Sequence, residues 1–214
     1  AKGDWIITTD DDILVEEDWL EGYVHAIAQY PKAVVFGGAV LPWLVRKATD
    51  RDRLLMQHYP GVYALVHVDE DHPLAGDDYT IAGANMALKR CAIPSDGYDP
   101  SRSGRSVTDR HCGEDVEIVR RMLSSGSEGW MLAQPKVHHY IPPKRMGLIY
   151  LWQWQMAMGR LWIRYRGRPT PGKLGVPWWA WREFARRTVR TCVGWRPWPS
   201  ETFYRPFVET AQYS

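Results

Sequence analysis

Three groups of side chains in this 214-residue chain have the types and spacings that chemistry needs. The first is Asp10-Asp11-Asp12, directly behind the run Trp5-Ile6-Ile7-Thr8-Thr9. Asp10 and Asp12 can both face one hard divalent cation such as Mn2+ or Mg2+, which bridges to diphosphate oxygens and offsets their charge. A solvated acidic turn is the other reading of three Asp in a row. The second group is Glu114-Asp115, where a carboxylate in a cleft needs only modest desolvation to act as general base on a hydroxyl. Acidic residues also favour helix N-termini through the macrodipole, so this pair alone decides nothing. The third is His138-His139. If it lies on a strand, its two imidazoles face opposite ways, so one can join the Asp pair while the other faces outward; His pairs are also often structural.

The surrounding sequence supplies elements that would position these groups. Trp5 to Thr9 is β-branched and aromatic and reads as a buried strand, which puts the three Asp at a strand's C-terminal end. Leu20, Tyr23, Val24 and Ile27 have helical spacing behind Glu16-Glu17-Asp18, and Pro31 ends the pattern. Val34 to Leu41 is a second strand. Strand, helix and strand in under forty residues give the rhythm of a layered α/β domain. A helix is expected around Asp52 to Tyr63. Ile81 to Leu88 is small and apolar with Asn85 as its one polar side chain, so backbone or ligand comes close there. Ser95 to Gly113 reads as a long functional loop. Val116, Ile118, Val119, Met122 and Leu123 make a helix that Ser124-Ser125-Gly126 stops. Trp130 to Ala133 and Lys136 to Tyr140 read as two strand pieces around Pro135, and a helix runs from Leu148 toward Tyr165.

Charge divides the chain. Residues 1–143 carry 22 acidic and 14 basic side chains, whereas residues 144–214 carry 3 acidic and 13 basic, together with eight of the twelve Trp. Trp178, Trp179 and Trp181 followed by Arg182, Arg186, Arg187 and Arg190 suit contact with an anionic membrane, rings at headgroup depth and guanidinium groups on phosphates. Packing of the same rings against the rest of the protein is the alternative. No recognition motif accompanies the basic tail, and nucleic acid is not an expected partner. The apolar stretch Met146 to Met158 is broken by Gln153 and Gln155, so no run of about 18 to 20 apolar residues spans a bilayer. Cys91, Cys112 and Cys192 fit no zinc or redox spacing, which points to a reducing compartment.

The motifs in order, strand-Asp-x-Asp, then Gly83-Ala84-Asn85-Met86-Ala87, then Gly113-Glu114-Asp115 before an amphipathic helix, then Val137-His138-His139 with Arg145 after it, resemble the family 2 glycosyltransferases of GT-A fold. Ala1-Lys2-Gly3-Asp4-Trp5-Ile6 is similar to the segment that leads into the family's acidic motif. The resemblance covers roughly residues 1–168 and implies an α/β fold with a mixed, Rossmann-like sheet. It implies that Asp10, Asp11 and Asp12 form the DxD site for metal and nucleotide diphosphate, with Asp10 and Asp12 on the metal and Asp11 on the substrate. His139, by its spacing to Ile141-Pro142 and Arg145, joins the metal shell; Asn85 lines the sugar and acceptor pocket; Arg145 meets the diphosphate. Asp115 is the implied catalytic base, with Glu114 beside it.

The resemblance therefore implies an inverting, metal-dependent glycosyltransferase, using Mn2+ or Mg2+, a nucleotide-diphosphate sugar donor and a saccharide or lipid-linked acceptor. Residues 1–145 would form the metal-binding and catalytic half of a GT-A domain cut at its N-terminus, and 146–214 a helical, basic, Trp-rich extension. The expected location is cytoplasmic, peripheral on the inner face of the cytoplasmic membrane. Gln153-Trp154-Gln155 lacks the Arg-Trp pair of processive synthases, so transfer of one or a few sugars is expected. The alternative is a non-catalytic carbohydrate- or membrane-binding module on a decayed scaffold. A phosphohydrolase would want a denser ligand cluster for two metals.

Overall fold

The computed structural model describes residues 2–74, 81–98, 114–124 and 126–166 (158–166 by backbone alone), and the single positions 182 and 185. The acidic segment 75–80, most of the expected loop (99–113) and the Trp and Arg cluster of the tail, Arg182 apart, lie outside the described residues. The chain divides into two compact units, the first of Ala1–Leu44, Tyr63–Ser103 and Gly113–Ile141, the second of Val45–Val62, Gly104–Cys112 and Pro142–Ser214.

The first unit is a mixed sheet with helices on its faces. Its elements are β1 (Trp5–Thr8), β2 (Ile13–Val15), α1 (Trp19–Gln29), β3 (Ala33–Trp43), β4 (His72–Pro73), β5 (Met86–Lys89), α3 (Glu114–Leu123) and β6 (Glu128–Tyr140); α2 (Asp50–His58) belongs to the second unit. Strand order is β1-β5-β3-β6-β2, with β4 also paired to β6. Among the described residues only β3 and β6 run parallel; the other pairs are antiparallel.

Alternation along the strands builds two cores. Val35, Met86, Leu88 and Met131 point to one face and pack with Ile118, Val119 and Met122 of α3. Their neighbours Phe36, Ala87 and Leu132 point to the other and pack with Tyr23 and Ala26 of α1. Period-two patterning buried on both sides is what a sheet sandwiched by helices requires.

Two features depart from the sequence reading. Ile13–Val15, to which the sequence reading gave no element, forms a short edge strand; it exists because His139, His138 and Val137 stand opposite it in register. The two pieces expected around Pro135 are one strand, β6. Its pairing with β3 jumps from Gly38↔Leu132 to Ala39↔Lys136, so residues 133–135 bulge out and Pro135, which has no N–H, interrupts no ladder bond.

In the second unit, α2 (Asp50–His58) is followed by the 3-10 turn Pro143–Met146 and α4 (Leu148–Arg166). The helix expected around Asp52 to Tyr63 thus begins two residues earlier and ends at His58. Thr49 and Asp52 form a capping box, in which the Thr49 hydroxyl accepts from the Asp52 N–H at 3.2 Å and Asp52 Oδ2 accepts from the Thr49 N–H at 2.9 Å. Arg46 adds an ion pair to the same oxygen at 2.6 Å. Burial alone would raise the Asp52 carboxyl, but the hydrogen bonds from Arg46 and Thr49 outweigh it and hold it below the usual range.

Candidate active site

The β1–β2 turn carries Asp10, Asp11 and Asp12 and is tied to the last residue of β6, whose Tyr140 N–H donates to the Asp12 carbonyl at 2.9 Å. Next to Tyr140 is His139, 4% exposed. Its Nδ1–H donates to the Tyr63 carbonyl at 2.7 Å, which directs Nε2 to Asp12 Oδ2 at 3.4 Å. A ring oriented by a backbone carbonyl with its other nitrogen facing a carboxylate is the arrangement of a metal-ligating His. His138 points the other way and donates from Nε2 to Glu16 at 3.0 Å. Strand alternation has therefore separated the pair into one inward and one half-exposed imidazole.

Asp10 remains open to solvent on one side. Its covered part nevertheless pushes its carboxyl above the usual range, and Asp12, Asp115 and Asp11 push it further while His139 pulls it back. Four acids and an imidazole from the β1–β2 turn, the start of α3 and the end of β6 thus share one electrostatic neighbourhood. Among the described residues no three His, Cys, Asp or Glu side chains already form a metal cage. The fit to Mn2+ or Mg2+ is one of donor chemistry, with two hard carboxylates and an oriented imidazole beside an excess of negative charge.

Asp115 opens α3, and backbone N–H groups reach both its oxygens: Gly83 N–H to Oδ2 at 2.8 Å, Val116 N–H to Oδ1 at 2.9 Å. Glu114 lies beside it. Burial, then the charges of Asp115 and Glu114, push the Tyr98 phenol upward. This residue, 40% exposed, was missed in the sequence. Arg121 of α3 fixes the turn at Asp96-Gly97: its Nη1 donates to both Asp96 carboxylate oxygens at 2.9 Å and its Nη2 to the Gly97 carbonyl. Only the Gly97-Tyr98 step at the mouth of the loop could have signalled it.

Asn85, expected to line the sugar pocket, is 0% exposed. Its Oδ1 accepts from Trp19 Nε1 and the Tyr23 hydroxyl, both at 2.8 Å, and its Nδ2 donates to the Ala39 and Pro135 carbonyls, both at 2.8 Å. The amide is filled by protein groups from α1, β3 and the β6 bulge, so what approaches this small-residue run is the fold itself. A side chain on Gly38 would overlap the Asn85 amide and the Pro135 carbonyl. Arg145 lies in the second unit, in the turn Pro143–Met146, where with Lys144, Leu148, Tyr150 and Gln153 it lines a cavity of about 880 Å³.

Among the described residues no helix is long and apolar enough to cross a membrane. The sequence is similar over 146 residues to a glucosyl-dolichyl phosphate glucuronosyltransferase of Haloferax volcanii, at 27% identity, covering 65% of this chain and 44% of that protein. The chain thus spans less than half the length of that relative. The sequence model of glycosyl transferase family group 2 matches residues 5–199, and together with the mixed GT-A-like sheet it establishes that this chain belongs to the family 2 glycosyltransferases.

Proposed function

We propose that the protein transfers a sugar with inversion, using a divalent cation held by Asp10, Asp12 and His139 and Asp115 as general base. The observation that supports this reading most is the approach of His139 Nε2 to Asp12 Oδ2 at 3.4 Å, groups far apart in sequence, with Asp115 near enough to help raise the Asp10 carboxyl. Asp115 takes the proton of the acceptor hydroxyl. The freed oxygen pair forms a bond to the anomeric carbon from the face opposite the leaving group, and the bond from that carbon to the phosphate oxygen breaks with its electrons passing to the nucleoside diphosphate. Mn2+ or Mg2+, when bound, supplies positive charge to the departing diphosphate. Asp11 and, in the second unit, Arg145 are assigned to substrate.

The name of the Haloferax protein supports a nucleotide-activated hexuronate or hexose as donor and a glycosylated lipid phosphate as acceptor. The basic, Trp-rich residues from 144 onward support working at an anionic membrane surface, on the cytoplasmic side where nucleotide sugars are at hand.

The test uses the full chain with Mn2+, a panel of nucleotide sugars and a glucosyl polyprenyl phosphate. Asp115→Asn is expected to abolish transfer while metal-dependent nucleotide binding, read by calorimetry, stays within about threefold, since a base acts only in the reaction step. Loss of both together refutes the base assignment. A product with the donor's own anomeric configuration, read by NMR, refutes inversion.

A further inference from the structure

We propose that Thr8 and Gly83 are positioning residues of the transfer step, which together set the distance between the Asp10–Asp12 turn and the Asp115 carboxylate. The proposal rests on the reading of Asp115 as base. It starts from topology: β1 and β5 pair antiparallel with Thr8 opposite Met86, so the end of β1, two residues before Asp10, lies against the 3-10 turn Gly83–Asn85 that leads into β5. The Thr8 hydroxyl donates to the Gly83 carbonyl at 2.7 Å, with the Met86 carbonyl a longer second partner at 3.3 Å. The Gly83 N–H donates to Asp115 Oδ2 at 2.8 Å. One residue is therefore held from the acidic strand through its carbonyl and holds the base through its amide.

Close approach favours glycine there. A Cβ at position 83 would stand 3.3 Å from Asp115 Cβ and 3.4 Å from Oδ2, so an alanine displaces the carboxylate by a few tenths of an ångström. Asp115 Oδ1 is held by its own helix through Val116. With one N–H on each oxygen, each keeps a lone pair for an acceptor hydroxyl. On that reading the diphosphate is bound at Asp10 and Asp12 and the acceptor at Asp115, the two groups that Thr8 and Gly83 link, so their separation has to match the reacting atoms. Displacement by about 1 Å in such an array costs on the order of a hundredfold in rate.

Thr8→Val tests this, because valine has the shape of threonine and favours strands, so β1 is retained without the hydroxyl. In the full chain with Mn2+ and the nucleotide sugar that the wild type turns over, kcat is expected to fall about ten- to a hundredfold while donor KM moves less than about threefold. Thr8→Ser, which keeps the donor, is expected to return kcat to within about threefold of wild type, and Gly83→Ala, whose displacement is only a few tenths of an ångström, to lower kcat in the same direction by less than about tenfold. If Gly83→Ala does not fold, the Thr8 pair decides alone. Wild-type kcat in Thr8→Val, or an equal loss in Thr8→Ser, overturns the proposal, and does so with the base assignment intact if Asp115→Asn is dead. An active Asp115→Asn overturns the base assignment itself.

Discussion

Asn85→Ala separates a structural role for Asn85 from a substrate-binding one. The side chain makes four hydrogen bonds, two into Oδ1 from Trp19 and Tyr23 and two from Nδ2 to the Ala39 and Pro135 carbonyls. Each neutral bond contributes about 1 kcal/mol net, and a buried partner left unpaired costs about 1–3 kcal/mol. Tyr23 is 0% exposed and its phenol, raised by burial, has no water to turn to, whereas half-buried Trp19 can reach solvent. Three bonds at about 1 kcal/mol each and Tyr23 at about 1 kcal/mol, the low end of its unpaired cost, give at least about 4 kcal/mol, a large part of the roughly 5–15 kcal/mol that holds a domain together. At a urea dependence of about 2 kcal/mol/M, the unfolding midpoint drops by about 2 M. Urea titration followed by tryptophan fluorescence reads this directly. Asn85→Asp keeps the acceptor but turns a second oxygen toward two carbonyls, and is expected to be at least as costly. A loss below about 1 kcal/mol in Asn85→Ala, combined with a raised donor KM, would return Asn85 to the sugar pocket and refute the reasoning.

Two further outcomes are expected. Asp10→Asn removes one of several crowded acids, so in metal-free buffer it is expected to raise the melting temperature by about 1–3 °C, while the Mn2+-induced rise of the wild type disappears; an undiminished Mn2+ shift in the variant would remove Asp10 from the metal site. Asp52 has a depressed carboxyl in the fold, so its stabilisation is complete above the unfolded carboxyl value of about 3.9 and is lost as pH falls through its lower folded value. Asp52→Asn is expected to cost about 2–3 kcal/mol at pH 7, discounted for the half-exposed Arg46, and to shrink that cost in acid. A cost that does not change between about pH 5 and pH 2 would sever the link to ionisation.

What was legible in the sequence had local causes. β1 and the acids behind it could be read because a β-branched run ends abruptly in charge, and α1 and α3 because their apolar positions recur at helical spacing. The separation of His138 from His139 followed from alternation alone, though which one faces Asp12 came from the resemblance. The rest depended on partners distant in sequence. β2 is three residues long and is a strand only because β6 offers it an edge. Pro135 marked a break by its chemistry, but the chain absorbs it in a bulge whose carbonyl Asn85 uses. The small residues around Asn85 did announce a close approach, without saying that protein would make it. Nothing near Asp115 announces that Gly83, 32 positions earlier, holds its carboxylate.

The same geometry explains why the site is costly to the unliganded fold. Asp10 is pushed upward by its partial burial and by three neighbouring acids, and His139 is the imidazole that pulls against them. His139 is itself oriented by a carbonyl, so its second nitrogen faces Asp12. On the proposed reading a divalent cation held there would relieve the repulsion that the neighbouring acids exert on Asp10, and that relief would add to its binding. Through the Thr8–Gly83 link the strand that leads into the acidic turn is bonded to Asp115, the proposed base. Loading the metal and aligning Asp115 are thus expected to be one event, and Thr8→Val to uncouple them, leaving the metal bound and the base adrift.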